Sequence, residues 1–195
     1  MSDGLAPEGT VGTTWRYNNV AYNYLKKILC LHTGLSLNEV TREWLTGPLG
    51  MTSTHWVERA QQLPDGTPLT GLASTAADLI ALGQLVLDGG RHLVPGWYID
   101  EMTRPGSAEN PAWGLCWWNN CSSHFMVPMR DGKREGRIIA AAPGDLIAAR
   151  GAAENGLYVV PSLGLVVART ASARQPGQQA GRGSFERPLW DLLCG

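Results

Sequence analysis

The sequence predicts an α+β fold, a helical lobe followed by antiparallel strands and a closing C-terminal helix. Three observations carry that expectation. Apolar residues recur at three- and four-residue steps through the first two thirds of the chain, the period then changes to short extended runs broken by Gly, Pro or Asn, and an amphipathic pattern returns at the end. The expected organisation is residues 1–110 as a mainly helical lobe and 111–195 as strands plus the last helix, packed as one compact unit. A chain of 195 residues is long enough to bury one core.

The first helix runs from Val20 to Leu31, where Val20, Tyr24, Leu25, Ile28 and Leu31 share helical spacing. Asn19 is placed to cap its start and Thr33-Gly34 to end it. Ser36 with Glu39 forms a capping box for a second helix through Trp44 and Leu45, which stops before Gly47-Pro48. From Thr52 to Pro68 the chain is polar and reads as a loop, with Pro64-Asp65-Gly66 as a turn. Thr75 and Asp78 make another capping box, for a third helix that stops at Gly89-Gly90, and a shorter helix follows Pro95.

Beyond that point Trp113 to Trp118, Arg137 to Ala142, Asp145 to Arg150, Leu157 to Val160 and Leu165 to Thr170 read as strands, the last three consecutive and antiparallel. Within Trp117-Trp118, alternation sends one ring to the core. Pro176 to Gly183 is loose and polar. Phe185, Leu189, Trp190, Leu192 and Leu193 then form the closing amphipathic helix.

A formal net charge of −1 and dispersed arginines give no field to attract nucleic acid or an anionic membrane. No apolar run approaches the roughly 20 residues that span a bilayer, and Met1-Ser2-Asp3-Gly4 lacks a basic, apolar leader. The sequence as written is therefore expected in the cytoplasm, and in the periplasm or outside the cell if the true start lies upstream. Cys30 and Cys194 read as buried small hydrophobes. Cys116 and Cys121 leave three uses open: unpaired structural residues, a small disulfide loop, or metal binding with other ligands. His32, His55, His92 and His124 have no companions at zinc-ligand spacing, so no metal and no cofactor is expected.

The richest stretch for chemistry is Thr13-Thr14-Trp15-Arg16-Tyr17-Asn18-Asn19-Val20, a Tyr-x-Asn immediately before an amphipathic helix. A phenol with a pKa of about 10 is a poor base at neutral pH unless cations stabilise its anion, so by itself Tyr17 also fits an aromatic packing residue. Further segments follow in order: Val11-Gly12-Thr13, Thr33-Gly34-Leu35-Ser36, Pro48-Leu49-Gly50-Met51-Thr52-Ser53-Thr54, Gly71-Leu72-Ala73-Ser74-Thr75, Trp113-Gly114-Leu115, and Leu157-Tyr158-Val159-Val160-Pro161 through Val167. Together they resemble the serine beta-lactamase and penicillin-binding-protein superfamily, especially its class C and esterase-like branch, over most of Val11 to Thr170.

The resemblance implies an incomplete beta-lactamase/transpeptidase-like fold, the C-terminal portion of such an enzyme. It also implies roles. Tyr17 is the catalytic tyrosine that relays a proton, and Asn19 orients substrate, a task that competes with capping for the same amide. The family's third motif, Lys-Thr-Gly or His-x-Gly, aligns with Ala149-Arg150-Gly151. Ala149 supplies neither charge nor hydrogen bond. Arg150 offers a cation to a substrate carboxylate, Gly151 lets substrate approach, and the Ala152 N–H contributes to an oxyanion hole. The alternative for this segment is a strand ending in a surface arginine and a turn glycine.

The family's nucleophile lies in a Ser-x-x-Lys, and here no serine from Ser2 to Ser184 is followed three residues later by lysine. The expected function is therefore a beta-lactamase-like serine hydrolase fragment or truncated homologue, acting on ester or beta-lactam-like small molecules when complete and inactive alone. The alternative is a non-catalytic binding or assembly protein whose exposed sheet and core surface recruit a second copy or a complementing N-terminal segment.

Overall fold

A computed structural model describes residues 12–128, 132–171 and 185–195. It is a mixed helix and antiparallel-sheet structure that divides into two compact units, residues 1–81 and 82–195. The expected loose segment Pro176 to Gly183 lies outside the described residues.

In the first unit, α1 spans Asn19–Thr33. Its cap is Asn18, not Asn19: the Asn18 Oδ1 accepts from the Val20 and Ala21 N–H groups at 2.9 and 3.2 Å. Gly34 takes the left-handed conformation at the other end, where its N–H reaches the Cys30 carbonyl. The helix α2, Leu37–Thr41, opens with the reciprocal Ser36/Glu39 capping box and widens into a π turn at Arg42–Thr46. The Gly47 N–H closes that turn on the Arg42 carbonyl, at a spot where a Cβ would lie 2.5 Å from the same oxygen.

The polar stretch expected as a loop is instead a hairpin, β1 (His55–Gln62) against β2 (Pro68–Ala73), in register His55↔Ala73 and Val57↔Gly71. The turn expected at Pro64-Asp65-Gly66 joins them, with Gly66 at φ 83°. The hairpin escapes sequence reading because nearly all of β1 is exposed, so its residues show no apolar alternation. It is tied to α1 by polar contacts: Asn23 Oδ1 accepts from the Thr70 N–H at 2.9 Å, and the Lys26 ammonium donates to the Thr70 carbonyl at 3.0 Å. The helix α3, Ala76–Leu87, starts from Thr75, whose hydroxyl accepts from the Asp78 N–H. The buried Asp78 carboxylate turns to the Ser53 N–H and the Thr54 hydroxyl, anchoring the approach to β1.

The division between units falls within α3. The second unit holds its C-terminal part, α4 (Gly96–Thr103), β3 (Trp118–Asn119), a small hairpin of β4 (His124–Phe125) and β5 (Arg134–Glu135), then β6 (Ile147–Arg150), β7 (Gly156–Val160), β8 (Leu165–Arg169) and α5 (Glu186–Cys194). The main sheet has the order β3-β6-β7-β8, antiparallel throughout, so the three consecutive strands expected from sequence are present. Val159 packs with Val86, Ile99 and Met102 of α3 and α4, joined by Ile147, Val166 and Trp117. Tyr158, on the opposite face by alternation, meets Trp190 of α5 edge-on at 5.9 Å. Of the paired tryptophans, Trp118 is buried against Trp113 and Trp117 is half-buried.

Two expected strands are absent. Trp113 to Trp118 bends back on itself through Gly114–Cys116, so that Trp113 forms an isolated bridge to Trp118 and only Trp118 belongs to a strand, β3. Arg137 to Ala142 forms turns that wrap the buried Asn120, whose Nδ2 donates to the Ile139 and Pro143 carbonyls and whose Oδ1 accepts from the Ile139 N–H. All four cysteines are free thiols. Cys194, expected inside, is exposed on the last turn of α5, although it lies one turn beyond the buried Trp190 on the same face.

Candidate active site

Tyr17 sits two residues ahead of α1, half-buried, and is oriented by neighbouring rings: Tyr22 edge-on at 5.4 Å and Trp15 tilted at 6.5 Å. Asn19 is the first residue of α1 and is exposed. Because Asn18 does the capping, the Asn19 side-chain amide is not committed to the helix; only its backbone carbonyl is used, by the Asn23 amide at 2.8 Å. The expected competition between capping and substrate orientation is thus removed by a shift of one residue.

The two lysines of α1 are engaged elsewhere. Lys26 donates to Asn23 and Thr70 and lies over the Trp56 ring, 4.3 Å from its centroid. Burial, helped by the charge of Arg59, pushes its pKa below the ordinary lysine value. Lys27 pairs with Asp65 in the β1–β2 turn.

In the other unit, Ala149 pairs with Leu157 and Arg150 with Gly156 at the end of β6. The Arg150 guanidinium is held by Glu186 of α5, with Nε 2.7 Å from Oε1 and Nη2 on Oε2. It is largely buried, 17% exposed, so it is not an ordinary surface arginine. Glu186 also accepts from the Tyr158 hydroxyl at 2.8 Å. Sequence reading missed Glu186, since an acidic residue opening a helix signals no more than a favourable helix dipole.

Past β6 the backbone of Gly151 is extended, at φ −106° and ψ −176°, and its N–H donates to the Asn155 carbonyl at 2.8 Å. Ala152 is exposed, and its N–H donates to no atom among the described residues. Tyr17 and Asn19 therefore belong to the first unit, and Arg150, Gly151 and Ala152 to the second. Among the described residues no group of three or more His, Cys, Asp or Glu side chains is arranged to hold a metal, and no helix is long and apolar enough to cross a membrane.

The family model for beta-lactamases matches residues 3–186. The chain belongs to the beta-lactamase family. Solved structures agree on the fold. The chain is similar to a beta-lactamase from Mycobacterium bovis, with 20% identity and a TM-score of 0.64 over 95% of this chain and 64% of that one. It is also similar to a Bacteroides dorei protein assigned to the beta-lactamases, with 16% identity and a TM-score of 0.63 over 97% and 61%. A third similar structure is an octameric penicillin-binding protein homologue from Pyrococcus abyssi, with 19% identity and a TM-score of 0.56 over 82% and 39%. No curated protein matches the sequence. The chain thus spans less than two thirds of the length of each of these beta-lactamase-like structures. Tyr17 and Asn19 stand at the entrance to α1, and Gly151-Ala152 follows the end of β6.

Proposed function

We propose that the chain carries the proton-relay and substrate-facing parts of a serine acyl-transfer site, and that acting alone it does not hydrolyse ester, amide or beta-lactam substrates. One observation carries this reading: no Ser-x-x-Lys occurs in the 195 residues, so a family site built around Tyr17 has no nucleophile of its own. The positions of Lys26 and Lys27 support it, because both ammonium groups are bound to the β1–β2 hairpin. In the complete reaction a serine supplied by another polypeptide segment attacks the substrate carbonyl. In the first unit's part, a lysine and Tyr17 carry its proton and Asn19 orients the substrate before water releases the acyl group; in the second unit's part, considered by itself, the Ala152 N–H receives the oxyanion. Arg150 serves a substrate carboxylate only by exchanging Glu186 for it.

The test is incubation of the chain with a chromogenic ester and a chromogenic beta-lactam, followed by mass spectrometry. The expected result is no burst and an unchanged mass. A stoichiometric acyl adduct on any serine overturns the reading.

A second reading, assembly through exposed surface, is supported by two features. On α1, Leu25, Ile28 and Leu31 are 62%, 58% and 75% exposed, although they form the apolar stripe of that helix. In the second unit β8 ends the described sheet, and its run Leu165-Val166-Val167-Ala168 carries no charge until Arg169 to discourage a further strand. A second copy or a complementing N-terminal segment would cover such surfaces. Light scattering should then give a mass above the monomer, and a monomer at high concentration counts against this reading.

A further inference from the structure

Resting on the reading that the Ala152 N–H receives an oxyanion, we propose that Arg169 is a positioning residue. Its guanidinium holds the strained turn behind the third-motif strand and so fixes the direction of that N–H.

The turn at Ala152–Glu154 contains two consecutive non-glycine residues in the left-handed region, Ala153 at φ 55° and Glu154 at φ 59°. Crowding between Cβ and the backbone disfavours each, and two in succession persist only where the surroundings over-determine them. Those surroundings are specific. Arg169 Nη1 donates to the Glu154 carbonyl at 2.7 Å and to the Ala153 carbonyl at 3.3 Å, while Nη2 stands 3.7 Å from the Glu154 carboxylate. The guanidinium also stacks on the Phe185 ring, 4.5 Å from its centroid, which limits its freedom to leave. Asn155 secures the other side: its N–H and its Nδ2 both donate to the Ala152 carbonyl, at 3.1 and 2.7 Å, and its own carbonyl accepts from the Gly151 N–H.

The carbonyls of Ala152, Ala153 and Glu154 are therefore all bound, and the Gly151 N–H with them. The exposed Ala152 N–H is left unbonded among the described residues. A planar fork suits the task, since it spans two successive carbonyls while its face stacks on an aromatic ring; a lysine ammonium offers a point charge without the plane.

The experiment is amide hydrogen exchange by NMR on the labelled chain, with Arg169→Met tested in the parent and in an Ala153→Gly background. Glycine takes positive φ without the Cβ penalty, so a turn relieved at residue 153 needs the clamp less. Loss of the charge-assisted bonds should speed exchange at Gly151 and Asn155 about tenfold or more in the parent, and less than about threefold with Ala153→Gly. Amides of Leu157 to Val159 report that the sheet remains folded; if Arg169→Met disturbs them, Arg169→Lys replaces it. Equal acceleration in both backgrounds, or none in either, overturns the proposal. Phenylphosphonate, a tetrahedral oxyanion, supplies the second readout. It should move the Ala152 cross-peak in the parent, lose that effect with Arg169→Met and regain it when Ala153→Gly is added. A cross-peak that does not move in the parent counts against the oxyanion reading, and the exchange comparison then decides the clamp by itself.

Discussion

Arg150 and Glu186, 36 positions apart in sequence, meet fork to fork between the end of β6 and the first turn of α5, with the Tyr158 hydroxyl on the same carboxylate. Both charges are largely out of water, which makes each dependent on the other. Removing one partner of such a pair strands a buried charge and costs about 3–5 kcal/mol. Glu186→Ala and Arg150→Met should each lower the urea midpoint accordingly. The double change Arg150→Met with Glu186→Ala should cost clearly less than the two singles summed, because no charge remains to be stranded. An additive double variant would mean that the two side chains act independently.

The same carboxylate shapes the alkaline behaviour of the fold. Burial, followed by the charge of Glu186 and the hydrogen bond to it, pushes the Tyr158 pKa well above the ordinary phenol value. The folded state therefore keeps a proton that the unfolded chain releases. Stability from this group is fully present below the unfolded phenol pKa of about 10 and is lost as pH rises from there towards the higher folded value. Unfolding free energies measured between pH 8 and 11 should fall at the alkaline end. Tyr158→Phe should flatten that slope, even though it starts from a lower stability for want of the hydrogen bond.

In the first unit the sign is reversed. The Lys27 hydrogen bond, followed by those from Thr67, holds the Asp65 pKa down at about 2. Its contribution to the β1–β2 turn is present above the ordinary carboxylate pKa, about 3.9, and is lost as pH falls through about 2. Lys27→Met should let the Asp65 carboxyl titrate closer to an ordinary aspartate, as followed by its side-chain carbon shift in NMR. An unchanged titration would show that Thr67 alone sets the value.

What could be read from sequence was what is local and periodic. The Ser36/Glu39 box is reciprocal within four residues, and β6, β7 and β8 are short apolar runs fenced by Gly and Pro, so neither needed knowledge of distant contacts. The β1–β2 hairpin stayed hidden because its stabilising contacts reach across to Asn23 and Lys26, leaving no pattern along the strands themselves. Arg137 to Ala142 misled in the opposite way. That run is apolar enough for a strand, yet its Ile139 and Ala142 carbonyls and the Ile139 N–H are claimed by Asn120, some twenty residues earlier. At the candidate site Tyr17, Asn19, Arg150 and Gly151-Ala152 were singled out by local motif alone, whereas Glu186 and Arg169, which bind Arg150 and the turn after β6, act through tertiary contacts that no spacing announces.

Gly83 on α3 shows how closely that helix rides on its sheet. A Cβ there would lie 2.4 Å from Val166 Cγ1 and 2.8 Å from Leu157 Cδ1, both in strands of the same unit. Alanine is the better helix former by about 1 kcal/mol, but overpacking a filled interior costs about 1–3 kcal/mol. Gly83→Ala should therefore destabilise the fold in thermal or urea unfolding. A stabilised variant would mean that Leu157 and Val166 can rotate away and that the close approach is not required.

The adjacent asparagines at the start of α1 separate stability from function. Asn18 Oδ1 satisfies two N–H groups of the first turn, so Asn18→Ala should cost about 0.5–2 kcal/mol. Asn19 is exposed and its side chain makes no hydrogen bond among the described residues, so Asn19→Ala should leave the unfolding midpoint almost unchanged. Under the proposed reading the same change removes a substrate-orienting amide. In a complex with a Ser-x-x-Lys-bearing segment that restores acyl transfer, Asn19→Ala should depress the acylation rate with the fold intact, while Asn18→Ala should act mainly through stability. If Asn19→Ala leaves acylation untouched, Asn19 is only the first residue of a helix, and the substrate-orienting role proposed for it falls.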